Sequence, residues 1–304
     1  SIIYEMKATG YYLSKEFKKA LNYYRKAFGF SRAAYSGLET GNRETTSYVM
    51  SQNRINFVLT TPLTPEHPAA EHIKQHGDGV CDIAFQVEDA DQAFNEAVKR
   101  GAEAAIEPYD WKDENGSVRR AAVKTYGDTI HSFISYNTNN GHNYSGPFLP
   151  GFTKQELEGD EIGIVLVDHI VGNVELGKMN FWCDYYRDVM GFERYITFDD
   201  KDISTEYSAL MSIVMSDGGH NIKFPINEPA EGKGGKSQIQ EYIDFYRSAG
   251  AQHVALLCKD VMHTVQKLQD NGVEFLRVPD TYYDELPSRI GEIDEDIDEL
   301  ITKM

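Results

Sequence analysis

The chain has 304 residues, 41% of them hydrophobic, and this length predicts two domains of about 150 residues each rather than one core. Its 30 basic and 48 acidic residues give a net charge of −18, which would repel a phosphate backbone, so no nucleic-acid partner is expected. No run approaches the roughly eighteen apolar residues of a membrane span and the first residues lack a signal-peptide pattern, which predicts a cytoplasmic protein without a membrane partner.

The first predicted helix in chain order belongs to an internal repeat. The segment "NYYRKAFGFSR", residues 22–32, returns as "DYYRDVMGFER", residues 184–194. A second segment, "GVCDIAFQVEDA" at 79–90, returns as "GAQHVALLCKDV" at 250–261. Two ordered matches of this length indicate that the halves of the chain are duplicates.

The repeated unit has one local pattern of elements. A short apolar strand at 80–87 is followed by Asp89, which predicts a helix cap, and by an apolar helical stripe that ends at Gly101. Three strand-like runs follow at 102–108, 117–126 and 129–136. We therefore predict an α+β fold of tandem βαβββ modules, with two modules in each half.

The halves are joined by a segment that predicts a linker. Residues 137–152, "NTNNGHNYSGPFLPGF", are rich in Asn, Gly and Pro and show no periodicity. We place an N-terminal domain at 1–155 and a C-terminal domain at 156–304. The last module breaks off after a predicted strand at 273–279 and a predicted acidic helix at 294–303.

Two histidines stand on strands that otherwise predict buried apolar positions. His169 lies in "IVLVDHIVGNV" and His253 in "GAQHVAL", at similar places in neighbouring modules. The first half has Asp82 in place of His253 and a residue near Lys7 in place of His169, so packing does not require histidine there. Two converging imidazoles predict a divalent-metal site, and such a site needs a third ligand.

The chain resembles the 4-hydroxyphenylpyruvate dioxygenase family, of the vicinal oxygen chelate superfamily, over nearly its whole length. The resemblance is carried by "VDHIVGNV", "FPINEPAEGKGGKSQIQEY", "GAQHVAL", "VPDTYYDEL", "GDGVCDIAFQVEDA" and "GPFLPGF". It implies a mononuclear Fe(II) site with His169, His253 and a glutamate as ligands. The family's glutamate belongs on a late strand of the fourth module, which this chain does not contain, so it is expected in a further C-terminal segment.

The resemblance also implies a reaction and a substrate pocket. The family converts 4-hydroxyphenylpyruvate and O2 to homogentisate and CO2 in tyrosine breakdown. The motif places Ser212, Asn227, Gln238 and Gln252 in the substrate pocket. Strand alternation points Gln252 away from His253 unless the strand is locally bent. The first half, which lacks a recognisable triad, is expected to be structural or an oligomer contact, and we expect a homo-oligomer.

Several alternatives stay open from the sequence. One alternative is hydroxymandelate synthase, which resembles the dioxygenase family and uses the same substrate and cofactor. Another is a non-catalytic module of the same fold, if the third ligand is absent. Without the resemblance, Asn227 could be a turn residue, Gln238 a solvated helix position and Ser212 a filler in a strand.

Other metal-like and phosphate-like patterns have simpler interpretations. In "EHIKQH", His72 and His76 have a spacing that can bind metal, but the pattern is not HExxH and favours a solvated helix. "GKGGKS" at 232–237 favours a flexible loop, and the acidic residues after Pro279 favour a solvated face. The three cysteines are widely spaced and predict reduced thiols: Cys81, Cys183 and Cys258.

Overall fold

The computed structural model describes residues 2–7, 13–136, 141, 143–198, 210–230 and 237–276, with side-chain environments from residue 18 onward. Two β-sheets dominate it. The first has nine strands in the order β6-β7-β8-β5-β1-β4-β3-β2-β9, and the second has five in the order β11-β12-β13-β10-β14.

The strands and helices of the first half follow the predicted pattern. The strands are β1 (Ile2–Lys7), β2 (Ser31–Ser36), β3 (Thr45–Gln52), β4 (Ile55–Pro62), β5 (Gly79–Gln86), β6 (Ala104–Asp113), β7 (Gly116–Lys124), β8 (Ile130–Ser135) and β9 (Thr153–Leu157). The helices are α1 (Leu13–Lys26), α2 (Pro68–His76) and α3 (Ala90–Lys99).

The second half repeats this order as far as the structure describes it. Its strands are β10 (Ile164–Asn173), β11 (Glu193–Phe198), β12 (Leu210–Ser216), β13 (Lys223–Pro229) and β14 (Gly250–Cys258). Its helices are α4 (Met179–Asp188), α5 (Gln238–Tyr246) and α6 (Val261–Asp270).

The duplication predicted from the sequence is confirmed by strand topology. In the first sheet β1 pairs parallel with β4 and antiparallel with β5, and in the second β10 pairs parallel with β13 and antiparallel with β14. The strand order β2-β3-β4-β1-β5 therefore returns as β11-β12-β13-β10-β14. The α+β fold of βαβββ modules is confirmed.

Helix ends show why the two copies fold alike. The side chain of Asp89 accepts a hydrogen bond from the backbone N–H of Gln92 at 2.9 Å, and Asp260 accepts one from His263 at 3.0 Å. Both helices are followed by a glycine at positive φ, Gly101 and Gly272, a conformation that side chains other than glycine rarely adopt. The predicted caps and stops are therefore confirmed.

The two halves share one hydrophobic core. Phe85 and Phe133 of the first half belong to the same buried cluster as Tyr186 and Phe224 of the second, and the rings of Phe85 and Phe224 lie 6.1 Å apart. β9 pairs with β2, so the first sheet extends through residue 157. The division into two domains near residue 155 stays a prediction.

Two predicted elements near the end of the chain fall largely outside the description. Residues 273–276, the described part of the predicted strand at 273–279, are irregular. The remainder of that strand and the predicted acidic helix at 294–303 lie outside the described residues. All three cysteines are free thiols.

Candidate metal centre

The structure brings His169 and His253 together on adjacent antiparallel strands. In the β10–β14 ladder, Val171 pairs with His253 and His169 pairs with Ala255, so the histidines are diagonal neighbours. Their ring centroids lie 5.7 Å apart and the ring planes are inclined by 73°. His169 keeps 30% of its side chain exposed and His253 is more open still, so the pair faces an accessible surface.

A β-bulge lies immediately before each histidine. Val167 pairs with Leu256 and His169 with Ala255, which leaves Asp168 as an extra residue on β10. On β14 the pairing passes from His253 directly to Ala251, which leaves Gln252 as the extra residue. A bulge re-aims the side chains around it, and this is the local bend that Gln252 needed in order to turn toward His253.

Each bulge residue holds the Nδ1 atom of the histidine that follows it. Asp168 Oδ2 lies 2.7 Å from Nδ1 of His169, and Gln252 Oε1 lies 2.8 Å from Nδ1 of His253. Both oxygens are acceptors, so each Nδ1 carries the hydrogen and each Nε2 keeps its lone pair. Metal-binding histidines generally donate their second N–H to a carboxylate or carbonyl oxygen in this way. The pair therefore fits a metal ion.

Two groups at the pair have pKa values displaced from their usual ranges, the Asp168 carboxyl and the His253 imidazole. Partial burial would raise the pKa of Asp168, but hydrogen bonds from Lys223 and His169 lower it below its usual value. Lys223 Nζ lies 2.6 Å from Asp168 Oδ1. Partial burial, followed by the neighbouring charge of His169, lowers the pKa of His253, which favours its neutral, metal-binding form.

Three polar residues share the inner end of the second sheet. Ser212 pairs with Asn227 across β12 and β13, and Asn173 pairs with Asn227 across β10 and β13. All three are buried, and the side-chain amide of Asn173 and Oδ1 of Asn227 have no hydrogen-bond partner. Buried amides without partners indicate a place for a polar ligand. The sequence analysis missed Asn173, whose signal was its position four residues after His169.

Gln238 occupies a different environment from the other predicted pocket residues. It is the first residue of α5, directly after the capping residue Ser237, and its side chain is exposed. Residues 231–236, which include most of the predicted loop "GKGGKS", lie outside the described residues.

The first half satisfies the equivalent strand positions without histidine. Asp82 accepts hydrogen bonds from Arg120 Nη2 at 3.0 Å and from Ser132 Oγ at 2.7 Å. The pairing of Ile3 with Ala84 matches that of His169 with Ala255, so Ile3 corresponds to His169 in backbone register. The prediction of a residue near Lys7 was wrong because the offset between the two copies is not constant along the chain, so the offset of the helix repeat does not apply to this strand.

One expectation about the remaining histidines is also wrong. His72 and His76 are only 7% and 4% exposed, rather than on a solvated helix. The ring of Tyr246, from α5 of the second half, stacks on His76 with centroids 4.2 Å apart. A contact between residues this distant in sequence could not be read from the local pattern of α2.

The described residues contain one group of three possible metal donors, and it is not at the His169–His253 pair. This group consists of His72, His76 and Asp128. A cavity of about 450 Å³ also lies elsewhere: neither His169 nor His253 lines it. The candidate centre therefore rests on the geometry of the two histidines rather than on cavity size.

Comparisons with known proteins agree with this architecture. Residues 11–146 match the family described as hydroxyphenylpyruvate dioxygenase, N-terminal, and residues 167–288 match the glyoxalase, bleomycin resistance protein and dioxygenase superfamily.

No described helix is long and apolar enough to cross a membrane.

Curated relatives named 4-hydroxyphenylpyruvate dioxygenase match most of the chain. The Aspergillus fumigatus protein is 42% identical over 90% of this chain and 72% of its own length. The Dictyostelium discoideum protein is 44% identical over 93% and 78%, and the Xenopus tropicalis protein 44% over 90% and 70%.

Solved structures show the same fold. A triple mutant of 4-hydroxymandelate synthase from Streptomyces coelicolor superposes with a TM-score of 0.82 at 25% identity, covering 99% of this chain and 82% of its own. The much higher identity lies with the dioxygenases. The chain therefore belongs to the 4-hydroxyphenylpyruvate dioxygenase family.

Proposed function

We propose that this dioxygenase uses Fe(II), bound by His169 and His253, to convert 4-hydroxyphenylpyruvate and O2 to homogentisate and CO2. Family membership supports the reaction, because the relatives that carry this name match about nine tenths of the chain. The observation that carries the metal assignment is the pair of imidazoles whose Nδ1 atoms are both held by neighbouring oxygens.

Bound Fe(II) would supply coordination of the keto acid and activation of O2. His169 and His253 would each offer Nε2. Asp168 and Gln252 fix the tautomer and direction of the two rings. The third donor, a glutamate by the family resemblance, lies outside the described residues.

The polar end of the second sheet is the proposed substrate pocket. A phenol and a chelated keto acid need hydroxyl and amide partners, and Ser212, Asn173 and Asn227 supply these on adjacent strands. Asn173 and Asn227 are buried with unpartnered amide atoms, so bound substrate would satisfy them. Gln252 lies beside His253, and Gln238, at the start of α5, is assigned to the pocket by the family motif.

The first test is oxygen uptake by the iron-loaded full-length protein with 4-hydroxyphenylpyruvate, with the product identified by chromatography and mass. We expect homogentisate. The fold similarity to 4-hydroxymandelate synthase makes hydroxymandelate the specific alternative. Hydroxymandelate as product would replace the proposed reaction and keep the proposed metal site.

The metal assignment is tested with His169→Ala and a matched control, His263→Ala, on the exposed face of α6. His169→Ala should lower iron content and turnover by more than about 100-fold, whereas the control should match the parent. A full-length parent protein that binds no iron would instead support a non-catalytic module. Full activity in His169→Ala would remove this histidine from the metal site.

A further inference from the structure

A second group of metal donors lies between the two halves of the molecule. His72 and His76 lie one turn apart on α2, and Asp128 lies in the turn between β7 and β8. His72 Nδ1 is 2.7 Å and His76 Nε2 is 3.2 Å from the same oxygen, Asp128 Oδ2. We propose that these three residues bind a divalent transition-metal ion of the zinc class, separate from the His169–His253 centre.

The spacing of the donors suits such an ion. A tetrahedral zinc ion binds nitrogen and oxygen ligands at about 2.0–2.2 Å, which separates its ligand atoms by roughly 3.3–3.6 Å. The three donor atoms here all lie within 4.8 Å of one another. Small side-chain rotations are enough to place an ion among them.

Hydrogen bonding leaves one contact in the cluster unfavourable unless a cation is present. Nδ1 of His76 hydrogen-bonds to the backbone carbonyl of Tyr246, so it carries the hydrogen and Nε2 is an acceptor. This Nε2 atom faces a carboxylate oxygen at 3.2 Å, and two acceptors at that distance repel. A proton or a metal ion between them removes the repulsion.

His72 adds a second unsatisfied group. The Nε2 atom of His72 is buried and has no hydrogen-bond partner. The polar contact of this ring is the one between Nδ1 and Asp128. No other hydrogen bond opposes a turn of this ring toward an ion. The side chain of Asp128 is 42% exposed, which provides an entry path and leaves room for a water molecule as fourth ligand.

The cluster lies against the second half of the chain. His76 binds the carbonyl of Tyr246 and stacks on its ring. The turn that carries Asp128 is equally close, because a Cβ atom added at Gly127 would lie 2.1 Å from the carbonyl oxygen of Ala249. We therefore infer that the ion stabilises the contact of α2 and the β7–β8 turn with the end of α5.

The test uses the full chain carrying His169→Ala and His253→Ala, so that the proposed iron site cannot contribute. Once a chelator has removed any bound metal, this protein should take up about one Zn²⁺ per chain. Adding Asp128→Asn or His76→Gln should weaken Zn²⁺ binding by more than about tenfold, and Asp184→Asn, an exposed control, should not. Equal affinity in all variants, or no binding by the chain that keeps the cluster, would overturn the proposal.

Two further readouts separate a metal site from a purely structural hydrogen-bond cluster. At a hundredfold excess over its dissociation constant, Zn²⁺ should raise the thermal midpoint by about 5 °C in the chain with the cluster but not in the Asp128→Asn variant. Amide exchange should slow both in α2 and at the end of α5. Slowing in α2 alone would contradict the inferred link between the halves.

Discussion

The two halves of this molecule carry the same five-strand arrangement but satisfy equivalent positions in different ways. In the first half, buried Asp82 is paired with Arg120 and bonded to Ser132. In the second half, the equivalent His253 is exposed and faces His169. The first half thus supplies its own cation, Arg120, whereas the second half presents two imidazole donors suited to an external cation. Both halves form the same strand arrangement, so the fold itself requires neither the Asp82–Arg120 pair nor the histidine pair.

The largest effect should come from giving the second half the residue of the first. His253→Asp removes an imidazole, so we expect iron binding and turnover to fall by more than about 100-fold. Since this position is exposed, the free energy of unfolding should change by less than about 1 kcal/mol. Iron analysis, oxygen uptake and urea unfolding of the same sample measure both effects. A large loss of stability would mean that His253 is structural.

A substitution in the first half should instead act on stability. Arg120→Met leaves the carboxylate of Asp82 buried without its cation, which should cost about 3–5 kcal/mol in the free energy of unfolding. Arg187→Met breaks exposed pairs with Asp184 and Asp188 and should cost less than about 1 kcal/mol. Urea unfolding measures both variants. Equal losses would show that burial does not distinguish the two kinds of ion pair.

A third contrast is between a buried histidine of the first half, His131, and an exposed histidine of the second half, His263. His131 is fully buried, its Nδ1 lies 3.1 Å from the carbonyl of Ile83 and its Nε2 lies 2.8 Å from Tyr186 Oη, so the neutral ring is fully bonded. Burial lowers its pKa from 6.5 to about 4. Between these values the unfolded chain binds the extra proton, so stability falls as pH falls.

The expected contribution of His131 is about 3 kcal/mol between pH 7 and pH 4. It should be missing from His131→Gln, measured by urea unfolding across that range. His263→Gln, at an exposed position, is the matched control and should keep the parent's slope. An unchanged slope in His131→Gln would mean that this ring does not remain neutral.

The smallest expected effect concerns the residues that orient the histidines. Asp168→Asn keeps an oxygen near Nδ1 of His169 but loses the charge, and iron affinity should fall by about 10–100-fold. Lys223→Met removes the ion pair of Asp168 and leaves its bond to His169 in place, so its effect should be smaller. Iron titrations compare them. A larger effect of Lys223→Met would assign the role to the ion pair instead.

The sequence by itself determined the duplicated βαβββ modules, the Asp89 and Asp260 helix caps, and the strands that carry His169 and His253. These features are local: a cap, a turn glycine or an alternating strand depends on residues a few positions apart. The family resemblance depends in the same way on short ordered motifs.

Only the tertiary structure decided which side chains meet. The bulges at Asp168 and Gln252 arise from the pairing of β10 with β14, and they turn both side chains toward the histidines that follow. His72 and His76 are buried where α2 contacts Tyr246, which lies 170 positions after His76. Periodicity reports which face of an element is apolar, but register and the partner across an interface are set by distant parts of the chain that pack together.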